Sequence, residues 1–103
     1  MDAREHLARL KGRDIPTITH KKSNRVLSVH GSEVEVMREQ RGTVPVAQVQ
    51  QALDKLYRDG VLRINKATLG HSNTAFVGAV LAQLPDVEVV RGPQSVRLAE
   101  PAD

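Results

Sequence analysis

The four histidines, His6, His20, His30 and His71, are the side chains of this sequence best suited to bind a metal or to transfer a proton. No two of them have the i, i+4 spacing that brings two histidines to one face of a helix. The chain contains no cysteine, so it has neither a thiol nucleophile nor the ligands that would complete a zinc site. The sequence therefore predicts no metal centre and no cofactor.

Asp86 and Glu88 form the carboxylate pair with the most suggestive spacing. They lie in the segment Pro85-Asp86-Val87-Glu88-Val89-Val90, which is similar to a signature of metal-dependent nucleases. The lysine expected two positions after the second acid is Val90, so the general-base role is unfilled. A glycine-rich phosphate loop and a Gly-x-Ser-x-Gly turn are also absent. We therefore expect a binding protein, not an enzyme.

Positive charge is concentrated in the amino-terminal part of the chain, whose overall net charge is +3. Lys21, Lys22 and Arg25 belong to a predicted loop and strand start that could pair with phosphates. Lys66 and Arg91 could extend this surface from the second half. A lysine-rich loop can equally be plain solvated surface, and only convergence of several basic segments would favour phosphate binding. Aromatic residues make up 2% of the chain, which excludes a platform that stacks several unpaired bases.

In the first half, the pattern predicts a helix over residues 2–11, an edge strand over 15–19 and a β-hairpin over 25–38. A two-residue Gly31-Ser32 turn would set the hairpin register and separate an apolar face from a polar one. The predicted cross-strand pairs are Val29 with Val34, Leu27 with Val36, His30 with Glu33 and Ser28 with Glu35.

In the second half, Gln40-Arg41-Gly42 is predicted as a joint, followed by Thr43 or Val44 as a helix cap and Pro45 in the first helical turn. The remaining elements are predicted as a helix to about Arg58, a strand over 61–64, a helical turn over 65–69, a helix over 72–84 capped by Ser72 or Asn73, and two strands over 87–91 and 95–98.

These elements indicate an α+β fold in a small single domain. Residues 1–42 would form a subdomain of one helix and a β-hairpin, residues 43–99 a second subdomain, and residues 100–103 a flexible tail. The sequence contains no signal-peptide pattern and no long apolar stretch, so we expect a cytoplasmic protein without a membrane partner.

From residue 45 onward, the order of helix, strand, turn, helix and hairpin resembles the winged helix-turn-helix superfamily of DNA-binding proteins. The matching features are Leu53-x-x-Leu56 followed by Asp59-Gly60, the strand 61–64, the Leu69-Gly70 turn and the hairpin tip 92–94. The resemblance implies that helix 72–84 enters the major groove and that the tip acts as a wing on the DNA backbone or minor groove.

Helix 72–84 departs from that pattern, because the side opposite its core stripe carries Ala75, Gly78, Ala79 and Ala82, which cannot read base edges. Polar groups occur only at its start, where backbone donors favour a phosphate. We therefore predict a module that binds double-stranded DNA through its phosphates, with Gln94 as a wing contact. The predicted contact residues are Lys21, Lys22, Arg25, Lys66, His71, Ser72, Asn73, Arg91 and Gln94.

The small-residue side of the same helix supports an alternative, because it would let another helix approach closely. That helix could be the amino-terminal one or could belong to another chain. The alternative function is a protein–protein interaction or dimerisation module, with a homodimer or another protein as partner.

Overall fold

A computed structural model describes residues 2–18, 22–38, 40–90 and 94–99. The elements are α1 (Ala3–Arg9), β1 (Asp14–Pro16), β2 (Ser23–His30), β3 (Glu33–Met37), β4 (Arg41–Pro45), α2 (Val46–Asp59), β5 (Val61–Arg63), α3 (Lys66–Leu69), α4 (Thr74–Ala82), β6 (Val87–Val90) and β7 (Ser95–Leu98). The strands form two antiparallel sheets, one in the order β1-β2-β3-β4 and one in the order β5-β7-β6. This confirms the predicted α+β class.

The β2–β3 hairpin has most of its predicted register. The confirmed pairs are Val29 with Val34, His30 with Glu33 and Ser28 with Glu35. The predicted partner of Val36 is wrong, because Val36 pairs with Val26 and not with Leu27. The register shifts between Val26 and Ser28, and a bulge of this kind moves the next side chain to the other face. Val26 is consequently fully buried, whereas Leu27 is half-buried.

The segment predicted as a joint and helix cap is instead the strand β4. Gly42 pairs with Val36 and Val44 pairs with Val34, so β4 completes the first sheet as an edge strand. Pro45 ends β4 and serves as the N-cap of α2, where its missing N–H costs no ladder hydrogen bond. The expected boundary between residues 42 and 43 therefore falls inside a strand.

The elements after α2 follow the predicted order. Gly60 ends α2 in the left-handed region with φ 80°, and β5 begins at the next residue. The hairpin β6–β7 pairs Val90 with Ser95. Its expected tip lies mainly outside the described residues, as do the predicted tail 100–103 and the end of the predicted strand 15–19.

Helix α4 lies in the centre of the core, which is continuous across both predicted subdomains. Its predicted apolar stripe is confirmed, since Phe76, Val77, Val80, Leu81 and Leu84 are all buried. The middle of the small-residue side is covered as well: Ala79 is 0% exposed, and the Cα of Gly78 faces Ile18 and Ile64.

The body of α4 from Phe76 to Leu81 is thus enclosed by its own chain, whereas its first turn and its last residue, Ala82, reach the surface. A second chain could not reach Ala79 without opening the fold. None of the helices within the described residues has the length and apolar character needed to cross a membrane.

Candidate nucleic-acid interface

The residues predicted to contact DNA lie in several places, and two of them, Lys21 and Arg91, fall outside the described residues. Lys22 lies beside the start of α4, where it lines a cleft with Ala75 and Phe76. Arg25 lies on the outer face of the four-stranded sheet. The turn before α4 contains His71, Ser72 and Asn73, α3 begins with Lys66, and Gln94 comes just before β7.

A cleft of about 470 Å³ opens between the end of the four-stranded sheet and the first turn of α4. We call it the basic cleft. Its lining residues are Thr17, Lys22, Ser23, Asn24, Arg38, Gln40, Arg41, Gly42, Ala75 and Phe76.

The period-two alternation of the strands explains how the basic cleft forms. Val34 and Val36 point into the core from β3, and the next residue on that face is Arg38, just beyond the strand. Gly42 opposes Val36 on β4, and a Cβ added to Gly42 would lie 3.5 Å from Arg38 Nη2. The apolar face of the sheet therefore continues into a polar end, where Arg38 lies over Gly42.

The same alternation separates Arg25 from the cleft. Asn24 and Val26 are buried on the inner face of β2, whereas Arg25 between them is exposed on the outer face. Its cross-strand neighbours are Asp14 and Met37, which are also exposed. The structure thus divides the predicted pair Lys22 and Arg25 between two surfaces.

The cations of the basic cleft are Lys22, Arg38 and Arg41, and no carboxylate occurs among its described lining residues. Within the described part of the chain, neither Arg38 nor Arg41 forms an ion pair. The neighbouring carboxylate of Asp14 accepts a hydrogen bond from the Ser23 hydroxyl. A concave surface whose described lining carries cations and no carboxylate concentrates anions, which favours phosphate binding at this place.

The turn before α4 is organised by side chains that had been predicted as DNA contacts. His71 Nδ1 accepts a hydrogen bond from the Asn73 backbone N–H at 3.0 Å. Asn73 is the N-cap of α4, as one of the two predictions stated, but its side chain makes no capping hydrogen bond. Its Nδ2 instead donates to Gln48 Oε1 of α2 at 2.8 Å, which ties the turn to α2.

His71 is neutral in this arrangement, since Nδ1 must be unprotonated to accept a hydrogen bond. Burial lowers the pKa of His71 below its ordinary 6.5, and the positive charge of Lys55 lowers it further. Lys55 Nζ is held in place by the Thr68 backbone carbonyl at 3.1 Å. A phosphate near His71 would therefore meet a hydrogen-bond donor at Nε2 and not an imidazolium.

Lys66 and Gln94 follow and precede strands of the three-stranded sheet, since Lys66 begins α3 after β5 and Gln94 comes just before β7. Lys66 is the exposed first residue of α3, whose N-cap Asn65 accepts from the Thr68 N–H at 2.7 Å. The backbone carbonyl of Gln94 accepts from the Ile64 N–H at 3.0 Å. Ile18 and Ile64 both face Gly78 of α4. Ser72 is exposed in the turn between α3 and α4.

Sequence reasoning missed Arg38, Arg41 and the inward position of Asn24. The alternation Val34, Val36, Arg38 was the available signal, because it carries Arg38 to the inner face. Arg41 could not be placed without β4, and β4 was hidden by the glycine and proline at its ends.

The carboxylates considered for catalysis are engaged in separate contacts. Asp86 accepts from the Tyr57 hydroxyl at 3.1 Å, and Glu88 pairs with Arg97 at 3.0 Å. Across residues 2–18, 22–38, 40–90 and 94–99, no group of three or more histidine, aspartate or glutamate side chains is arranged to hold a metal ion.

No family model, no curated protein and no solved structure matches this chain.

Proposed function

We propose that this protein is a small, non-enzymatic DNA-binding module that holds the phosphate backbone of double-stranded DNA at the basic cleft. The observation that carries the proposal is the grouping of Lys22, Arg38 and Arg41 around a concave surface whose described lining residues include no carboxylate. Phosphate contacts of this kind supply most of the affinity of sequence-independent DNA binding.

The order of the second-half elements also supports the proposal. Helix α2, strand β5, helices α3 and α4 and the β6–β7 hairpin follow one another as in the winged helix-turn-helix superfamily. Because α4 is buried from Phe76 to Leu81, only its first turn can approach DNA. The proposed mode is therefore backbone contact beside the start of α4, with His71, Ser72 and Lys66 next to it. A DNA partner also accords with the cytoplasmic location expected from the sequence.

The test is fluorescence anisotropy of a labelled duplex, titrated at several salt concentrations between about 50 and 200 mM. We expect the affinity to fall with salt, and each of Arg38→Gln and Arg41→Gln to reduce the slope of log K against log salt by about 0.9. Duplexes of unrelated sequence should compete equally, because phosphates carry no sequence information.

Arg58→Gln is the matched control, because it removes the same charge at the far end of α2. Arg58 pairs with Asp59 and lies away from the basic cleft. Its salt slope should equal that of the wild type. Absence of binding at low salt, or equal slopes for all four proteins, would contradict the proposal.

A further inference from the structure

The basic cleft is lined by buried side chains as well as by cations. Its rim carries the cations, but its lining includes Asn24, which is 3% exposed, and Phe76, which is 1% exposed. The volume of about 470 Å³ lies within the range of roughly 300–1,000 Å³ that small-molecule sites occupy. A backbone that crosses the rim would leave this inner space unfilled.

The side chain of Asn24 presents an acceptor to that space. Its Nδ2 donates to the backbone carbonyls of Ile15 at 3.3 Å and Lys22 at 3.2 Å, so both amide hydrogens are used. No donor among the described residues reaches its Oδ1. Every fully buried side-chain N or O atom of the described residues has a hydrogen-bond partner, so Oδ1 must reach the surface. Since Asn24 lines the basic cleft, that surface is the cleft wall.

We propose, on the basis of the DNA binding proposed above, that the basic cleft receives one nucleotide turned out of the base stack. The cations at the rim hold its phosphates. An N–H group on the base edge donates to Asn24 Oδ1, and the base lies against the apolar wall of Ala75 and Phe76. All DNA bases carry such an N–H group, so this site selects for an unstacked nucleotide and not for one base. The nucleotide comes from within a duplex or from an unpaired strand end.

Two substitutions fill the cleft from opposite walls without removing a charge. Gly42 lies in β4 with an ordinary negative φ, and Ala75 is exposed in the first turn of α4, so Gly42→Leu and Ala75→Leu are both compatible with their backbones. Thr43→Leu is the matched control, because Thr43 is the next residue of β4 and is exposed on the opposite face.

The experiment uses two duplexes that contain 2-aminopurine, whose fluorescence rises when the base leaves the stack. One has the probe at an internal position and the other in a short single-stranded overhang. We expect a several-fold rise for at least one duplex with the wild type and with Thr43→Leu, and loss of that rise with Gly42→Leu and Ala75→Leu. The internal probe reports extrusion from a duplex, and the overhang probe reports capture of a strand end.

Anisotropy of the same duplexes separates the two proposals. Binding without a fluorescence rise, or a rise that persists in both filled variants, overturns the nucleotide site and leaves phosphate binding intact. Absence of binding overturns both. Thermal unfolding of each variant identifies any that does not fold, and the other filled variant then decides the result.

Discussion

The imidazole Nε2 of His6 lies 2.9 Å from the backbone carbonyl oxygen of Val80. Because a carbonyl only accepts, Nε2 must carry the proton in this hydrogen bond. The contact joins α1 to the buried helix α4, and His6 is only 6% exposed. The amino-terminal helix is thus attached to the same element whose first turn borders the basic cleft.

Replacing His6 should therefore destabilise the whole fold. We expect His6→Ala to lower the free energy of unfolding by about 1–3 kcal/mol, because the Val80 carbonyl loses a buried partner. Urea denaturation measures this change. His30→Ala is the control: His30 is exposed and contacts Ser28, so its loss should cost less than about 0.5 kcal/mol. Equal costs for both variants would mean that the His6 hydrogen bond contributes nothing.

Gly78 should not tolerate a side chain, although it lies inside a helix. A Cβ at this position would lie 2.9 Å from Ile64 Cγ2, whereas carbon atoms pack best at about 3.5–4.0 Å. Overpacking costs about 1–3 kcal/mol, more than the gain of about 1 kcal/mol from replacing a helical glycine. We therefore expect Gly78→Ala to be destabilising in urea unfolding.

The Ile64→Ala background provides the control for this prediction. It removes the Cγ2 atom, so Gly78→Ala should there be neutral or stabilising. A stabilising effect of Gly78→Ala in the wild type would show that Ile64 yields to the added methyl group.

The fold was predictable where short-range patterns determine it. The Gly31-Ser32 turn fixes the pairing of Val29 with Val34 before any other strand is present. The bulge at Leu27 could not be predicted, because the residue types of the strand do not show which position is the extra, unpaired one. Strand β4 was missed for a related reason: its pairing with β3 is a tertiary contact, and its sequence alone resembles a linker.

The candidate site was likewise predictable where neighbouring residues determine it and not where strand pairing does. The sequence placed Lys22 in a basic segment and His71 in the turn before a helix, and both lie near the start of α4, as expected. It also grouped Arg25 with Lys22, because a charge count does not record which sheet face a residue occupies. Arg41 lies near Arg38 at the end of the sheet because β4 pairs with β3, and the sequence alone does not show this pairing.

Acidification should destabilise the fold, because protonation of His71 disrupts the turn before α4. Burial and the charge of Lys55 lower its pKa in the folded protein, so the unfolded chain takes up a proton at higher pH, near 6.5. Neutral His71 makes its full contribution to the free energy of unfolding above pH 6.5. This contribution is lost as the pH falls through the lowered pKa of His71 in the folded protein. The free energy of unfolding, measured between about pH 8 and pH 5, should therefore fall toward acid.

His71→Asn supplies the comparison, because an asparagine oxygen can accept from the N–H two residues later without titrating. As the pH falls, the free energy of unfolding of the wild type should decrease more than that of His71→Asn. Parallel pH profiles would remove His71 as the cause.

The contact between Asn73 and Gln48 should carry the stabilising effect of Asn73, because Asn73 makes no capping hydrogen bond. We expect Asn73→Ala and Gln48→Ala each to lower the free energy of unfolding by about 0.5–1.5 kcal/mol, with the double variant costing no more than one of them. Asn65→Ala is the contrasting case: Asn65 does cap its helix, so its cost of about 1 kcal/mol should add fully to that of Gln48→Ala. A double-mutant cycle in urea measures both couplings. Additive costs for Asn73 and Gln48 would show that the Asn73 side chain stabilises the start of α4 independently of α2.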